Sequence, residues 1–397
     1  MLYIKFLSIG ELFRHASKSM LLLVFSGVLY EETGSISSIG IIISFELISS
    51  IVTPSIASFA IKKYGSFNIL KSMAFISLLL CFIAWIKLQF STHIYIYILI
   101  SFILSFNTPF IRSSIFCITP LLSYSHSLTK SNSYIAIFTQ IGQLVGMCVA
   151  ATIFKLNEFL NSTLLIAAIG YFISFVFYIL STKNIFDNTK EKIHEKNSYL
   201  KFKITSKFNS IALFFLILLS SFEVTYVVIF NMLLAPIVDF SFNNDKYWMS
   251  LLDSLFALGA IAGGVYSSKV KSLSFIAVFL NQIYFFILMI FYFNLAKVPI
   301  LLFCFIFGFG LSISGIYWNS LFQKYIKTNE LSNLIAIRST LGSIIGIVIS
   351  YSISKFFLVG FNYVVIMAIF IPIISCAIFY FVIYRYKSLK SDLKIIQ

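Results

Sequence analysis

Ile135-Ala136-Ile137-Phe138-Thr139-Gln140-Ile141-Gly142-Gln143-Leu144-Val145-Gly146 recurs further along the chain as Ile335-Ala336-Ile337-Arg338-Ser339-Thr340-Leu341-Gly342-Ser343-Ile344-Ile345-Gly346. In both copies two glycines stand four residues apart, on one face of a helix, where small residues let a second helix approach closely. Around the first copy, apolar runs of roughly 20 residues, the length a bilayer core demands, lie near 8–30, 37–61, 67–87, 94–117, 133–154 and 161–181. Around the second they lie near 209–232, 247–268, 273–293, 299–322, 332–356 and 361–384. Each copy occupies the fifth run of its set. The sequence predicts an all-α integral membrane protein with twelve transmembrane helices in two six-helix pseudo-repeats, a parallel duplication.

Composition demands a bilayer as solvent. Of 397 residues, 59% are hydrophobic, 18% aromatic and 11% charged, and mean hydropathy is +0.97. A soluble domain carries about 25% charged residues, so a single water-soluble core is excluded. The net charge of +15 is spread over short gaps between apolar runs rather than gathered in a stripe or arm, which argues against nucleic acid as a partner. Cys81, Cys117, Cys148, Cys304 and Cys376 all fall inside apolar runs without metal-ligand or redox spacing. They read as small hydrophobes, and neither metal nor cofactor is expected. Glu11, Arg14, His15 and Lys18 interrupt the place where a cleavable signal would carry its apolar core.

Basic residues set the orientation. With the amino terminus inside, the cytoplasmic segments hold nineteen Lys and Arg, among them Lys62, Lys63, Lys269, Lys271, Lys324, Lys327 and Arg385. The outer segments hold five: Lys87, Lys155, Lys246, Lys297 and Lys355. Both termini are therefore expected in the cytoplasm of a bacterial cell, with the chain multi-pass in the inner membrane. The one long polar stretch carries seven lysines beside Asp187, Glu191 and Glu195. It divides the chain into a bundle at 1–181, a cytoplasmic linker at 182–208 and a bundle at 209–397.

Three segments carry a family likeness. Leu29-Tyr30-Glu31-Glu32-Thr33-Gly34-Ser35 ends the first run, Ser58, Lys62, Lys63 and Gly65 surround the turn after the second, and Gly142, Gly146, Met147, Ala150 and Ala151 lie in the fifth. On these the chain resembles the major facilitator superfamily, in particular its bacterial drug and siderophore exporter branch. The resemblance covers nearly the whole length and implies transport by rocking of two six-helix halves around a central cavity.

The departures are specific. Lys18 stands where an acidic residue is usual, fifteen places before Thr33. Of the superfamily's Gly-x-x-x-Asp-Arg-x-Gly-Arg-Arg loop only Lys63 and Gly65 fit, and Lys62 takes the place of the carboxylate that usually latches a conformational state. The proline of the exporters' fifth-helix motif is absent, while its small-residue packing face remains at Gly142 and Gly146, and at Gly342 and Gly346 in the second copy.

Charged groups inside the membrane are rare because each is costly there, about 2.5–3.5 kcal/mol at mid-helix on insertion scales. Glu46 in the second run and Glu223 in the seventh are such groups. Each could carry a proton, hold a cationic substrate, or pair with a base. Glu223 is the stronger candidate, since the resemblance implies that the first, fourth, seventh and tenth helices line the cavity. Ser26, Asn107, Thr108, Tyr226, Asn231, Tyr317, Trp318 and Asn319 complete a candidate lining on those helices. Arg112 and Arg338 read as snorkelling side chains near the cytoplasmic face, with Arg112 also a coupling or substrate candidate, and Glu11, Arg14, His15 and Lys18 as interfacial anchors spaced to pair along one helical face.

The function expected is secondary transport, proton-coupled efflux of a small molecule such as a drug, siderophore or peptide-like natural product, by an antiporter that acts as a monomer and confers resistance. Two readings compete. A membrane-embedded enzyme on a lipid substrate would need a His-Glu-x-x-His or a paired acidic cluster, and His15, His93, His126 and His194 stand apart. A non-transporting immunity or sensor protein on a transporter fold remains open. The sequence contains no Gly-x-x-x-x-Gly-Lys-[Ser/Thr] segment to bind a nucleotide.

Overall fold

The computed structural model describes residues 2–33, 36–90, 94–123, 127–156, 162–182, 210–242, 247–270, 297–327, 330–357, 373–375 and 377–378. Ten long helices occupy them: α1 (Leu2–Thr33), α2 (Ile36–Tyr64), α3 (Ser66–Phe90), α4 (Ile94–Leu122), α5 (Leu128–Leu156), α6 (Thr163–Thr182), α7 (Ser210–Ser241), α8 (Tyr247–Lys269), α9 (Lys297–Tyr325) and α10 (Leu331–Phe357). A 29-residue helix such as α2 is about 44 Å long at 1.5 Å per residue, enough for the hydrocarbon core and both headgroup layers. Among the described residues nine helices are long and apolar enough to cross a membrane. The remaining long helix, α1, carries Lys5, Glu11, Arg14 and Lys18 along its length. The runs expected at 273–293 and, but for a few residues, 361–384 lie outside the described residues, as does the 182–208 linker after Thr182.

The chain forms two compact units, one from Met1–Ile204 with Lys327–Ala336, the other from Thr205–Ile326 with Ile337–Gln397. In the first, α1 is the central helix and packs along α5 and α6. The approach is close because the facing residues are small. A Cβ on Gly142 would run into the Leu12 carbonyl, one on Gly146 into the Ala16 carbonyl and Ser19 hydroxyl, and one on Gly170 of α6 into the Ser17 hydroxyl. Ser19 Oγ also donates to the Gln143 carbonyl at 3.1 Å. Two apolar clusters flank this spine, one around Phe25, Tyr97 and Tyr171 and one around Leu7, Leu70 and Ile118.

The second unit has its tightest seam between α8 and α9. Gly259 and Gly263 face the carbonyls of Phe305 and Phe309, and Gly308 faces that of Phe256. Phe230, Phe256, Phe303 and Phe307 fill the space beside it. Against α7, Gly342 of α10 is tight, its Cβ position 3.1 Å from the Ser221 carbonyl, while Gly346 keeps an ordinary 3.4 Å from Val228 Cγ2.

The turn between α2 and α3 is made by Gly65, whose φ of +84° suits glycine and whose N–H donates to the Ile61 carbonyl at 2.8 Å. Two turns before it, Ser58 Oγ donates to Asn333 Oδ1 at 2.7 Å and lies 3.0 Å from Ser332 Oγ. Glu330 supplies the carboxylate whose charge reaches Lys62. Lys62, standing where the family's motif has an acid, thus faces an acid at the start of α10, and Ser58 adds a hydrogen bond that the sequence did not suggest. Lys63 is exposed and lies over the Tyr64 ring.

Candidate functional site

Of the candidates, the structure brings Glu223, Asn319 and Arg338 together, on α7, α9 and α10. Arg338 Nη2 donates to Glu223 Oε2 at 2.7 Å and Nη1 to Asn319 Oδ1 at 2.7 Å. Its Nε reaches the Ser220 carbonyl at 3.4 Å. The Ser314 hydroxyl donates to the other oxygen of Glu223. Ser221 Oγ, one residue from Ser220, donates to the Arg338 main-chain carbonyl at 3.2 Å. Side-chain exposure is 7% for Arg338 and 13% for Glu223. This overturns the snorkelling expected of Arg338. The planar guanidinium is turned inward because three acceptors wait there, and a charge held this way is solvated by the protein instead of by the interface.

The site's chemistry is that of an exchangeable pair. Ionised, Glu223 neutralises Arg338. Protonated, it would leave the guanidinium with neutral acceptors only. Ser220, Ser221 and Ser314 are all buried, which supplies small polar surfaces around the pair without steric bulk. Ser220 belongs to the polar stretch around Glu223 that the sequence displays, whereas nothing in the sequence singles out Ser314. The signal for Ser220 is the run of serines in Leu219-Ser220-Ser221-Phe222-Glu223.

Elsewhere the candidates are dispersed. Trp318 and Tyr317 are buried and edge-to-face with each other, as packing residues of α9. Tyr226 is buried in the core of the second unit, and Asn231 is exposed. Asn107 is buried and donates from Nδ2 to Ser77 Oγ at 3.3 Å, joining α4 to α3. Thr108 bonds back to the Leu104 carbonyl, Arg112 is exposed, and the side chain of Ser26 lies outside the described residues.

The first unit carries two further charged groupings, both centred on α1. Glu11 accepts from Arg14 at 2.6 and 2.8 Å and from the Tyr178 hydroxyl of α6; His15 also lies 3.5 Å from Glu11. Glu11 and Arg14 are each 4% exposed, so they are interior pairs and not the interfacial anchors expected. One turn on, Lys18 pairs with Glu46 of α2. The base that replaces an acid on α1 has found its counter-ion on the neighbouring helix.

A model of the Major Facilitator Superfamily matches residues 7–351. The chain belongs to the major facilitator superfamily. Among solved structures, a bacterial homologue of the iron transporter ferroportin is similar over 96% of this chain and 99% of its own, with a TM-score of 0.74 and 14% identity. The proton:xylose symporter XylE is similar over 97% of this chain and 94% of its own, at a TM-score of 0.69 and 14% identity. The human organic anion transporter MFSD10 is similar over 96% and 98%, at 0.69 and 11%. At these identities the likeness is one of fold. Among curated proteins, none matches the chain. Family and fold are those of multi-pass transporters, which argues for a small-molecule substrate and against an enzyme.

Proposed function

We propose that the chain is a twelve-span secondary transporter of the inner membrane, a monomer that exports a small drug, siderophore or peptide-like product in exchange for protons. The observation that carries this is the buried Glu223–Arg338 pair, bridged to Asn319 and Ser314. A family member without a nucleotide site needs an external energy source. One proton moved down the membrane potential supplies about 2.3 kcal/mol per 100 mV, and Glu223 is the group on the second unit suited to carry it. Arg338 holds the carboxylate ionised until a proton competes, and the proton's release on the opposite face restores the pair.

Glu223→Gln keeps the shape and the acceptor for Arg338 but removes the titration. Gradient-driven transport should fall to the gradient-free rate while the protein is still produced. The measurement is accumulation of a panel of drugs and siderophores in inverted vesicles, with and without a proton gradient. Wild-type transport that ignores the gradient would sink proton coupling, and an unchanged Gln variant would make Glu223 structural.

The lysine asymmetry supports cytoplasmic placement of the 182–208 linker and of the carboxy terminus. Reporter fusions at Lys196 and Gln397 should both report the cytoplasm. An external signal from either breaks the twelve-span topology.

A further inference from the structure

A small recess opens in the first unit between α1, α2 and α4. Lys18 and Glu46 stand at its polar end, each with part of its side chain open, 27% and 38% exposed. Ser101 and Ser105, one turn apart on α4, also line it. Both serines are more than nine-tenths buried, at 8% and 6% exposure, and neither hydroxyl is engaged by another described residue. Serines buried to this degree normally bond to protein, as Ser49 and Ser77 do in the same unit. The opposite wall is apolar, from Leu21, Leu22, Phe25 and Leu104. On α1 the lining residues Lys18, Leu21, Leu22 and Phe25 fall at i, i+3, i+4 and i+7, one helical stripe. On α4, Pro109 has no N–H to give the Ser105 carbonyl its helical bond, which adds an acceptor beside the serines. Irregular backbone at membrane depth is tolerated where it lines a cavity.

We propose that this recess is a substrate subsite for a small zwitterion with an aliphatic substituent, of the α-amino-acid type. The inference rests on the transport reading and narrows its substrate class. The charge balance selects the ligand. An anion alone would bind Lys18 and leave Glu46 without its counter-ion, and a cation alone would do the reverse. A zwitterion replaces one ion pair by two, ligand carboxylate to Lys18 and ligand ammonium to Glu46, and the site stays neutral. The recess, about 30 Å³ and open on one side, takes the charged head of the ligand: Ser101 and Ser105 donate to the carboxylate, and the substituent runs out past the apolar wall of Leu21, Leu22, Phe25 and Leu104.

The test is binding to the purified wild-type chain in nanodiscs, read as a shift in Tm, with leucine, isoleucine, valine and methionine as probes. The controls are 4-methylpentanoate, which keeps only the anion, and isoamylamine, which keeps only the cation. The expected result is a concentration-dependent rise in Tm with at least one amino acid and none with either single-charge analogue, a contrast that needs no variant. Lys18→Met and Glu46→Gln should each lose the shift. Equal shifts from the single-charge analogues, no shift from any of the four amino acids, or a full shift in Lys18→Met overturns the proposal. Counterflow of the same probes in proteoliposomes separates the two claims. Binding without counterflow leaves the subsite standing and counts against transport, whereas transport of other solutes without amino-acid binding removes the subsite alone.

Discussion

Arg338→Leu is expected to abolish transport and to destabilise the second unit by about 3–5 kcal/mol, the cost of stranding a buried charge whose partner has been removed. The substitution takes the guanidinium from Glu223, which keeps the Ser314 hydroxyl as a donor, and from Asn319 Oδ1. Without the base that holds Glu223 ionised, residual transport should be near background whatever the fraction folded. Thermal unfolding in detergent and vesicle transport read the two effects separately. Glu223→Gln combined with Arg338→Gln removes both charges together and should recover most of the stability, because replacing a whole buried pair is far less damaging than breaking it. Transport should not return with it. If Arg338→Leu unfolds at the wild-type temperature, the guanidinium is not held as the structure shows. If the double variant transports normally, the pair is a structural lock with no part in coupling.

The apolar runs were legible because a bilayer imposes one strong rule, a roughly 20-residue stretch without unpaired charge. That rule locates helices but not their neighbours. Arg338 illustrates the limit. Its place near one end of an apolar run reads as snorkelling, and only the meeting of α7, α9 and α10 at the level of Ser220, Asn319 and Glu223 reveals three acceptors around it. The same holds for Lys18. Read alone it is a lost acid, and its partner Glu46 on α2 restores neutrality. Charge pairs between helices depend on register and rotation, and a single sequence records neither. The packing glycines divide in the same way. Gly142 and Gly146 were visible because a repeat drew attention to them, whereas Gly259 and Gly263, with the same spacing, passed unremarked although they form the close seam of α8 with α9. A spacing shows that a helix has a small face, not which helix fills it.

The first and second units use their charges differently, which bears on what each contributes. Arg14 and Glu11 are closed off by Tyr178 deep against α6, with no opening for a ligand, and read as a fixed brace for α1. Lys18 and Glu46 lie at a recess with idle hydroxyls, and Glu223 with Arg338 sits among serines and an asparagine. An exchange mechanism needs one group that titrates and another that recognises cargo, and placing them in different units lets the first be tuned without altering the second. On the transport reading, we propose Glu46 for recognition and Glu223 for coupling.

Gly146→Leu is expected to prevent folding of the first unit. The Cβ position at Gly146 already overlaps the Ala16 carbonyl and the Ser19 hydroxyl, so the backbone of α1 or α5 must move before any larger side chain fits. Over-packing by a methylene or two costs about 1–3 kcal/mol in well-packed interiors, and leucine adds far more volume against main chain that cannot rotate away. Two helices that meet through small faces in lipid are held by close van der Waals contact, so separating them removes the attraction as well. Gly142→Ala, aimed at the Leu12 carbonyl, should show a milder form of the same loss. Gly346→Ala gives the contrast: its Cβ would sit 3.4 Å from Val228 Cγ2, an ordinary contact, and it should fold and transport as wild type. Monodisperse yield from detergent measures all three. Normal yield and activity for Gly146→Leu would mean that this face of α5 looks into lipid, and equal losses at Gly142→Ala and Gly346→Ala would mean that close approach is not what distinguishes them.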